Sequence, residues 1–356
     1  MTYLDANASE MLRPEALAAM QAALLVTGNP ASVHAAGRAA RRVLETAREA
    51  IAARFGARAE DLVFTSGGTE ADALAVHGAG LPRVIAGATE HDAIRAAAPG
   101  AAVLPVDGTG VADLAALARM LEAGPALVCL MLANNETGVL HPVAEAARLC
   151  RAAGAWLHVD AVQAAGRMAV RLDALGADSM AISSHKLGGP AGAGALLLAP
   201  GRALAPLIAG GGQERGRRGG TPPVAMIAGF AAACVPAPAA LAGLRDRVEA
   251  VAIASGATVL GAGAPRLGNT TCLALPGVRA DTQVIALDLA GIQVSAGAAC
   301  SSGKVARSHV LDAMALGALA GEAIRVSLPW NATDADVEAF AGAYRAMAER
   351  LLRRAA

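Results

Sequence analysis

The sequence predicts an α/β protein with a mostly parallel central sheet that is covered by helices on both faces. Short apolar runs alternate regularly with helical stretches between residues 60 and 200, which is typical of strand–helix–strand units. Polar residues follow several of these runs, at the position where open α/β sheets bind their ligands. With 356 residues, the chain is long enough for a large domain and a smaller one.

Composition and charge limit the classes of function. The chain is 55% hydrophobic and only 2% aromatic, and its formal net charge is zero. A neutral chain predicts neither direct nucleic-acid binding nor membrane binding. The five cysteines include no Cys-x-x-Cys pair, which argues against a disulfide framework and a zinc cluster and favours the cytoplasm. The N-terminus has no apolar segment of the signal-peptide kind, so we expect no signal peptide.

Two helices are expected before the first strand of the predicted sheet. Pro14 suits the first turn of a helix that reaches about Leu25. A second helix extends to Phe55, with apolar residues on one face. Its charged residues, Arg48 among them, are assigned to the solvated face.

The strand at 62–65 is followed by Ser66-Gly67-Gly68-Thr69-Glu70 and a helix predicted from about Ala71. Two glycines at a helix start bring backbone N–H groups and the positive end of the helix dipole together, which can hold a phosphate. A simple turn is the alternative, because neither a dinucleotide fingerprint nor a P-loop spacing is present.

Two further apolar runs end in groups that suit one cofactor. The run 179–182 leads to Ser183, His185 and Lys186, and the run 156–159 leads to Asp160 and Gln163. A lysine in a water-poor site can form a Schiff base with an aldehyde such as that of pyridoxal phosphate. A carboxylate beside the pyridinium nitrogen keeps that ring protonated and electron-withdrawing. Asp160 and Lys186 can fill these two roles, and a surface lysine in a turn is the alternative.

The remaining predicted strands also carry polar residues at their ends. His91 follows the strand at 83–88, and Asn135 follows the strand at 127–133. Further elements of the same pattern are strands at 103–106 and 194–199 and a helix at 114–121. A single histidine is more often structural than catalytic, but several polar groups collected at one sheet edge predict a site there.

The segments HVDAVQAAG and SSHKLGGP resemble the core of class V aminotransferase-like enzymes, in particular the cysteine desulfurase family. Further matches run from Tyr3 to Leu328. The resemblance implies the fold type I of pyridoxal phosphate enzymes, with a seven-stranded, mostly parallel sheet. It also implies a large cofactor-binding domain at 1–250 and a small α/β domain at 251–356, with the segment 1–14 packing on the small domain.

The resemblance assigns roles to individual residues. The implied cofactor-binding residues are Gly68, Thr69, His91, Asn135, Asp160, Gln163, Ser183, His185, Lys186 and Thr221. The implied catalytic residues are Lys186, Cys300 and His91, and the implied substrate-binding residues are Asn7, Asn135 and Arg325. Thr221, and Arg218 in the same basic glycine loop, are implied to reach the cofactor phosphate of the other subunit in a homodimer.

Cys300 lies between Gly-Ala-Ala and Ser-Ser-Gly, and such a small-residue loop exposes a thiol that can act as a nucleophile. Cys129 and Cys272 lie in apolar runs and are predicted to be core residues. The resemblance implies that L-cysteine is converted to L-alanine, with a persulfide left on Cys300 for a protein acceptor such as an iron–sulfur scaffold. No metal site is predicted apart from transient iron–sulfur ligation by Cys300.

Two classes of alternative stay open. One is a selenocysteine lyase or a cysteine or cystine C–S lyase on the same fold, and the other is a non-catalytic assembly partner. The sequence departs from the family pattern at Arg307, where proline is common, at Gly219, where serine is common, and at Pro223. These departures concern the cysteine loop and the sulfur acceptor rather than the cofactor.

The C-terminal third is predicted to form the smaller domain. After a helical stretch at 222–255, we expect strands at 269–275, 292–295 and 324–328. The chain then ends in an amphipathic helix whose apolar face carries Val337, Phe340, Tyr344, Met347 and Leu351.

Overall fold

The structure, a computed structural model, describes residues 1–236, 241–297 and 307–355. Its strands are β1 Thr2–Tyr3, β2 Leu62–Thr65, β3 Val84–Gly87, β4 Ala102–Leu104, β5 Leu127–Cys129, β6 Trp156–Asp160, β7 Ser179–Ser183, β8 Gly194–Leu198, β9 Thr258–Leu260, β10 Thr270–Ala274, β11 Ile292–Gln293, β12 Ser295–Ala296 and β13 Ala323–Ser327. Its α-helices are α1 Pro14–Leu24, α2 Ala35–Arg54, α3 Gly68–Gly78, α4 Asp92–Ala97, α5 Leu114–Leu121, α6 Val143–Ala152, α7 Leu172–Leu175, α8 Val224–Ala233, α9 Leu241–Ala254, α10 Ala280–Leu289, α11 His309–Ala313 and α12 Asp334–Ala355.

The large sheet has seven strands in the order β2-β8-β7-β6-β5-β3-β4. Strand β8 runs antiparallel to its neighbours β2 and β7, and the other neighbouring pairs are parallel. The predicted α/β fold with a mostly parallel, seven-stranded sheet is therefore confirmed. In such a sheet the residues that follow the parallel strands collect along one edge.

Both faces of this sheet are covered, because its strands are apolar at successive positions. Val63 packs with Leu74 of α3 on one face, whereas Leu62 and Leu197 pack with Ile51 of α2 on the other. Adjacent strand residues point to opposite faces, so a run that is apolar throughout must be buried on both.

A second, antiparallel sheet has the order β12-β13-β10-β9. Its core includes Phe340 and Tyr344 of α12, whose rings stack at 5.1 Å. Val337 and Met347 are buried in the same core, as the spacing of the predicted final helix requires. Within the described part of the chain, no helix combines the length and the apolarity needed to cross a bilayer.

The N-terminal segment joins the second sheet to the edge of the first. Strand β1 pairs in parallel with β11, and the backbones of Asp5 and Ser327 form an isolated parallel β-bridge. The Glu10 N–H then donates to the carbonyl of His185, just after β7. The segment therefore contacts both sheets.

The predicted domain boundary at residue 250 falls inside α9. The buried α9 residues Leu241, Val248 and Ala252 belong to the second core together with α12. We therefore propose that the boundary lies before Leu241.

Three local predictions differ from the structure. Helix α3 begins at Gly68 rather than near Ala71, and the helical stretch expected at 222–255 is divided into α8 and α9. The short strand β9 was not predicted, because three residues carry too little periodicity.

Arg48 is the clearest error, because it is buried rather than solvated. Its two Nη atoms each lie 2.7 Å from a carboxylate oxygen of Glu214, and Nη1 also donates to the Leu62 carbonyl. The glycine loop folds over this face of α2 and supplies the carboxylate. The charge pattern of α2 alone contains no sign of that partner.

Candidate active site

A cavity of about 280 Å³ opens at the edge where the parallel strands of the large sheet end. It is lined by Ala8, Gly68, Thr69, Asp72, His91, Met131, Asn135, Asp160, Val162, Gln163, Ser183, His185 and Lys186. Nine of these residues were predicted from the sequence as site residues, and five different strands deliver them. Their roles remain predictions, but the structure brings these nine together.

The Lys186 amine lies at the cavity wall formed by the N-terminal segment. Lys186 ends a single 3₁₀ turn that follows β7. Its Nζ donates to the carbonyl of Asn7 at 2.5 Å and to that of Ala8 at 3.0 Å. Main-chain carbonyls thus hold the amine at the cavity.

The floor of the cavity carries two buried carboxyl groups. Asp160, at the end of β6, accepts a hydrogen bond from the Val162 N–H at 2.8 Å. Burial, and next the nearby Asp72 carboxylate, raise the pKa of Asp160 to about 7. Burial likewise raises the pKa of Asp72 to about 8. A cationic group placed between them would therefore be strongly favoured.

His158 lies beneath the floor and contacts Asp72 there. Its Nε2 lies 3.1 Å from Asp72 Oδ1, and its Nδ1 lies 2.9 Å from Ser179 Oγ. Burial lowers the pKa of His158 to about 4. At neutral pH the contact with Asp72 is therefore a hydrogen bond to a neutral imidazole rather than an ion pair.

His91 is fixed at the start of α4 beside a third buried acid. Its Nδ1 accepts from the Ala93 N–H at 3.1 Å, so the ring caps the helix. The preceding residue, Glu90, is fully buried and accepts from the Met131 N–H at 2.6 Å. Burial, followed by the charge of Asp160, raises the Glu90 pKa well above its usual value.

The opposite end of the cavity presents hydrogen-bond donors that would suit an anion. Gly67 precedes α3 without a capping side chain, which leaves the N–H groups of the first helical turn available. A Cβ on Gly68 would come within 2.7 Å of Val162 Cγ2, so a side chain there would have to displace Val162. The buried Ser183 Oγ, which also meets this end, has no hydrogen-bond partner among the described residues. A phosphate would satisfy both kinds of donor.

The basic glycine loop contacts this end of the cavity through Glu70. Arg218 Nε lies 2.8 Å from Glu70 Oε1, and Glu70 Oε2 accepts from the Ser66 N–H. Thr221 is exposed and does not line the cavity. A Cβ on Gly219 would lie 2.6 Å from the Gly210 backbone, which explains why serine is absent at this position.

Arg325 and Asn7 lie behind the cavity rather than in its lining. Arg325 Nη2 lies 2.7 Å from Asp5 Oδ1, and Nη1 donates to the Asn135 carbonyl at 3.2 Å. The buried Arg325 Nε has no partner among the described residues. The Asn7 side chain donates to the Asn135 carbonyl and to Thr270. Its backbone carbonyl, not its side chain, faces Lys186.

Cys300 lies outside the described residues. Gly297 and Ser308, on the two sides of that gap, both lie close to Glu136, which follows Asn135. Ser308 Oγ donates to Glu136 Oε2 at 2.6 Å, and a Cβ on Gly297 would come within 2.5 Å of the same oxygen. Arg307 pairs with Asp312 at 2.6 Å.

The cysteines predicted to be core residues are buried. Cys129 and Cys272 are fully enclosed, and burial raises the pKa of both thiols. Neither thiol is therefore available as a thiolate near neutral pH.

Several residues of the site were missed from the sequence. The residues in question are Asp5, Asp72, Glu90, His158 and Arg167. Asp72 stands on the buried face of α3 beside Leu74 and Ala75, and a charged residue at such a position is the signal that could have identified it. Asp5 and Arg167 form hydrogen bonds with residues far away in the chain, so no local sequence pattern predicts their place in the site.

The fold and the cavity define a class of protein whose ligand binds at the carboxyl edge of a mostly parallel sheet. The family described as Aminotransferase class-V matches residues 2–340. The chain belongs to this family.

The relatives narrow the class further. A protein from Cereibacter sphaeroides named cysteine desulfurase is 42% identical over 94% of this chain and 92% of its own length. An IscS-like cysteine desulfurase from Mycobacterium tuberculosis is 39% identical, covering 95% of this chain and 94% of its own. The solved structure of a NifS-like protein from Rickettsia africae matches with a TM-score of 0.89 and 33% identity, covering 98% and 99% of the two chains. The predicted resemblance to cysteine desulfurases is thereby confirmed.

Proposed function

We propose that this chain is a pyridoxal phosphate-dependent cysteine desulfurase that converts L-cysteine to L-alanine and leaves the sulfur on Cys300 as a persulfide. The observation that carries the proposal is the cavity, whose lining includes Lys186, a buried carboxyl floor and a helix end with donors that would suit an anion. The names of the relatives support the choice of substrate.

The residues present fit the cofactor group by group. Gly68, Thr69 and Ser183 would hold its phosphate, since the α3 N-terminus and the Ser183 hydroxyl offer donors to an anion. Asp160 would meet the pyridine nitrogen, and His91 would cover the ring. When bound, pyridoxal phosphate supplies an electron sink for the electrons that are released at the substrate Cα.

Lys186 would hold the cofactor aldehyde and move the proton at the substrate Cα. The Asn7 and Ala8 carbonyls accept hydrogen bonds from its Nζ and keep the amine at the cavity. Because a general base must lie within hydrogen-bond reach of its proton, this fixed position is a condition for the chemistry.

Arg325 would bind the substrate carboxylate. Its buried Nε carries a donor without a partner among the described residues, while Asp5 orients the guanidinium through Nη2. A planar guanidinium edge pairs well with a carboxylate. Asn7 would contribute indirectly, by holding Asn135 and Lys186 with its side chain and its carbonyl.

The sulfur transfer is a displacement at the sulfur atom of the substrate, and its atoms and electrons balance. The Cys300 thiolate forms an S–S bond with the substrate sulfur as the substrate C–S bond breaks. The electron pair of that bond stays on Cβ, which takes up a proton and yields alanine. The buried Cys129 and Cys272 cannot serve, because burial raises the pKa of both thiols.

The setting of the reaction is part of the proposal. We expect a homodimer, supported by the exposed Leu24 and Leu25 at the end of α1 and by the exposed Thr221. We expect a cytoplasmic protein, supported by the four described cysteines, which are free thiols rather than disulfides. The acceptor of the persulfide sulfur would be a protein such as an iron–sulfur scaffold.

The test is to incubate the cofactor-loaded protein with L-cysteine and to measure alanine and the mass of each cysteine peptide. We expect alanine, with one extra sulfur on the peptide that contains Cys300. Cys300→Ser should lose both while still binding the cofactor, and the control Cys234→Ser should retain both. Pyruvate and ammonia as products, or sulfur on another cysteine, would reject the proposal.

A further inference from the structure

Arg167 lies directly behind Gln163 and contacts it twice. Arg167 Nη1 donates to the side-chain Oε1 of Gln163 at 2.7 Å and to its backbone carbonyl at 2.9 Å. Arg167 Nη2 donates to the Ala6 carbonyl at 2.9 Å. One guanidinium thus joins the cavity-lining glutamine to the N-terminal segment.

These contacts determine which way the Gln163 amide points. A guanidinium only donates hydrogen bonds, and a backbone carbonyl only accepts them. The amide oxygen must therefore face Arg167, and the amide nitrogen faces the Asn7 carbonyl, 3.0 Å away. A flipped amide would place its N–H₂ group against the Arg167 guanidinium and its oxygen against the Asn7 carbonyl. It would therefore lose the hydrogen bonds to both.

The same geometry connects the amide to Lys186. The Asn7 carbonyl accepts from Gln163 Nε2 and from Lys186 Nζ, so both nitrogen groups lie on the same side of the cavity. Nε2 carries a second hydrogen, which remains for an acceptor beside Lys186. A cofactor oxygen that is anionic when Lys186 is attached would be such an acceptor.

We propose that Arg167 is a positioning residue that fixes the amide of Gln163, so that its N–H group stabilises the anionic oxygen of the bound cofactor next to Lys186. This inference rests on the proposed pyridoxal phosphate site. Arg167 acts through Gln163 and does not line the cavity itself.

Arg167 remains cationic at neutral pH. Burial lowers its pKa, to about 10, and the carboxylate of Glu10 acts in the opposite direction. The titratable or charged groups around it are Glu10, Tyr3, His185 and Arg325. Because every variant below keeps these four groups, their effects cancel when the variants are compared.

The test measures the pH at which the visible absorption band of the cofactor-loaded protein titrates. This titration pH is compared in a double-mutant cycle of Arg167 and Gln163. Arg167→Met should raise this pH by about one unit, because a less stabilised oxygen anion holds its shared proton more tightly. The shift caused by Arg167→Met should be clearly smaller in a Gln163→Ala background. There, only the direct effect of the Arg167 charge on the cofactor oxygen remains.

Controls separate positioning from a merely structural role. Arg171→Met removes an exposed arginine that pairs with Asp173 and should leave the titration unchanged. Thermal unfolding of each variant is measured in parallel. If Arg167→Met does not load the cofactor, Arg167→Lys replaces it in the double-mutant cycle, because lysine keeps the charge but loses the planar, two-pronged guanidinium. The shift in titration pH is again expected to be smaller in the Gln163→Ala background.

Equal shifts in the Gln163 and Gln163→Ala backgrounds would overturn the inference, since Arg167 would then act by charge or by stability alone. If wild type is mixed with pyridoxal phosphate and no visible band stays with the protein once unbound cofactor is removed, the proposed function is rejected, and the inference with it. The two failures are therefore distinguishable.

Discussion

The floor and the rim of the cavity differ in charge. The floor contains the carboxyl groups of Asp72 and Asp160, and Glu90 lies buried nearby, outside the lining. Burial raises the pKa of all three. The rim, where the N-terminal segment borders the cavity, contains the amine of Lys186, which donates to the Asn7 and Ala8 carbonyls. Arg167 lies behind this rim, outside the lining, and donates to the Ala6 carbonyl. The cavity is therefore complementary to a ligand with a cationic ring nitrogen at one end and anionic oxygens at the other.

The difference also shows which chemistry each side can support. A buried carboxyl group with a raised pKa becomes ionised once a cation lies beside it, so the floor can control the protonation of a ring. The rim groups hold their donors in fixed directions, so they can orient a substrate and an amine. Substitutions on the two sides should therefore change different kinetic constants.

The largest effect is expected from Asp160→Asn on the floor. The variant keeps the size of the side chain but cannot hold a charge, so it no longer stabilises the ring cation. We expect kcat with L-cysteine to fall on the order of 10²-fold while the cofactor still binds. Steady-state kinetics on the loaded protein measure this, and a loss of less than about threefold would place the electron sink elsewhere.

A smaller effect, on a different constant, is expected from Arg325→Lys behind the rim. A lysine cannot pair with Asp5 and with a substrate carboxylate through one planar group. KM for L-cysteine should rise about tenfold with a smaller change in kcat. Arg279→Lys, which changes an exposed arginine paired with Asp281, is the matched control. An unchanged KM would remove Arg325 from the substrate site.

The smallest effect is expected from Asp72→Asn, and it should appear mainly in the pH profile. The charge of Asp72 raises the pKa of Asp160, so removing it should lower that pKa. Ionised Asp160 then persists to lower pH, and the acid limb of kcat should move to lower pH. Turnover near neutral pH should change by less than about tenfold. A shift of the acid limb to higher pH would contradict the coupling of the two carboxyl groups.

Much of the fold and the site could be predicted because the signals are local. Asp160, Lys186 and His91 each follow an apolar strand within a few positions, and the carboxyl ends of such strands meet at one edge. Short strands such as β9 and β1, with three and two residues, carry no comparable signal.

Residues whose partners come from elsewhere in the chain could not be predicted. Arg48 pairs with Glu214, 166 positions further along, so its charged helix face gave the wrong prediction. Arg167 contacts Ala6, 161 positions away, and only the folded chain shows that it orients Gln163. The direction of the Asn7 carbonyl towards Lys186 likewise depends on how the N-terminal segment crosses the site.

The central claim, that the cavity binds pyridoxal phosphate through Lys186, is tested most directly by reduction with borohydride and peptide mapping. The sequence contains two lysines, Lys186 and Lys304, and Lys304 lies outside the described residues. We predict that the reduced cofactor is found on the peptide that contains Lys186 and that Lys186→Ala abolishes the label. Label on Lys304 or on the N-terminal amine, or no label on the wild-type protein, would contradict the account.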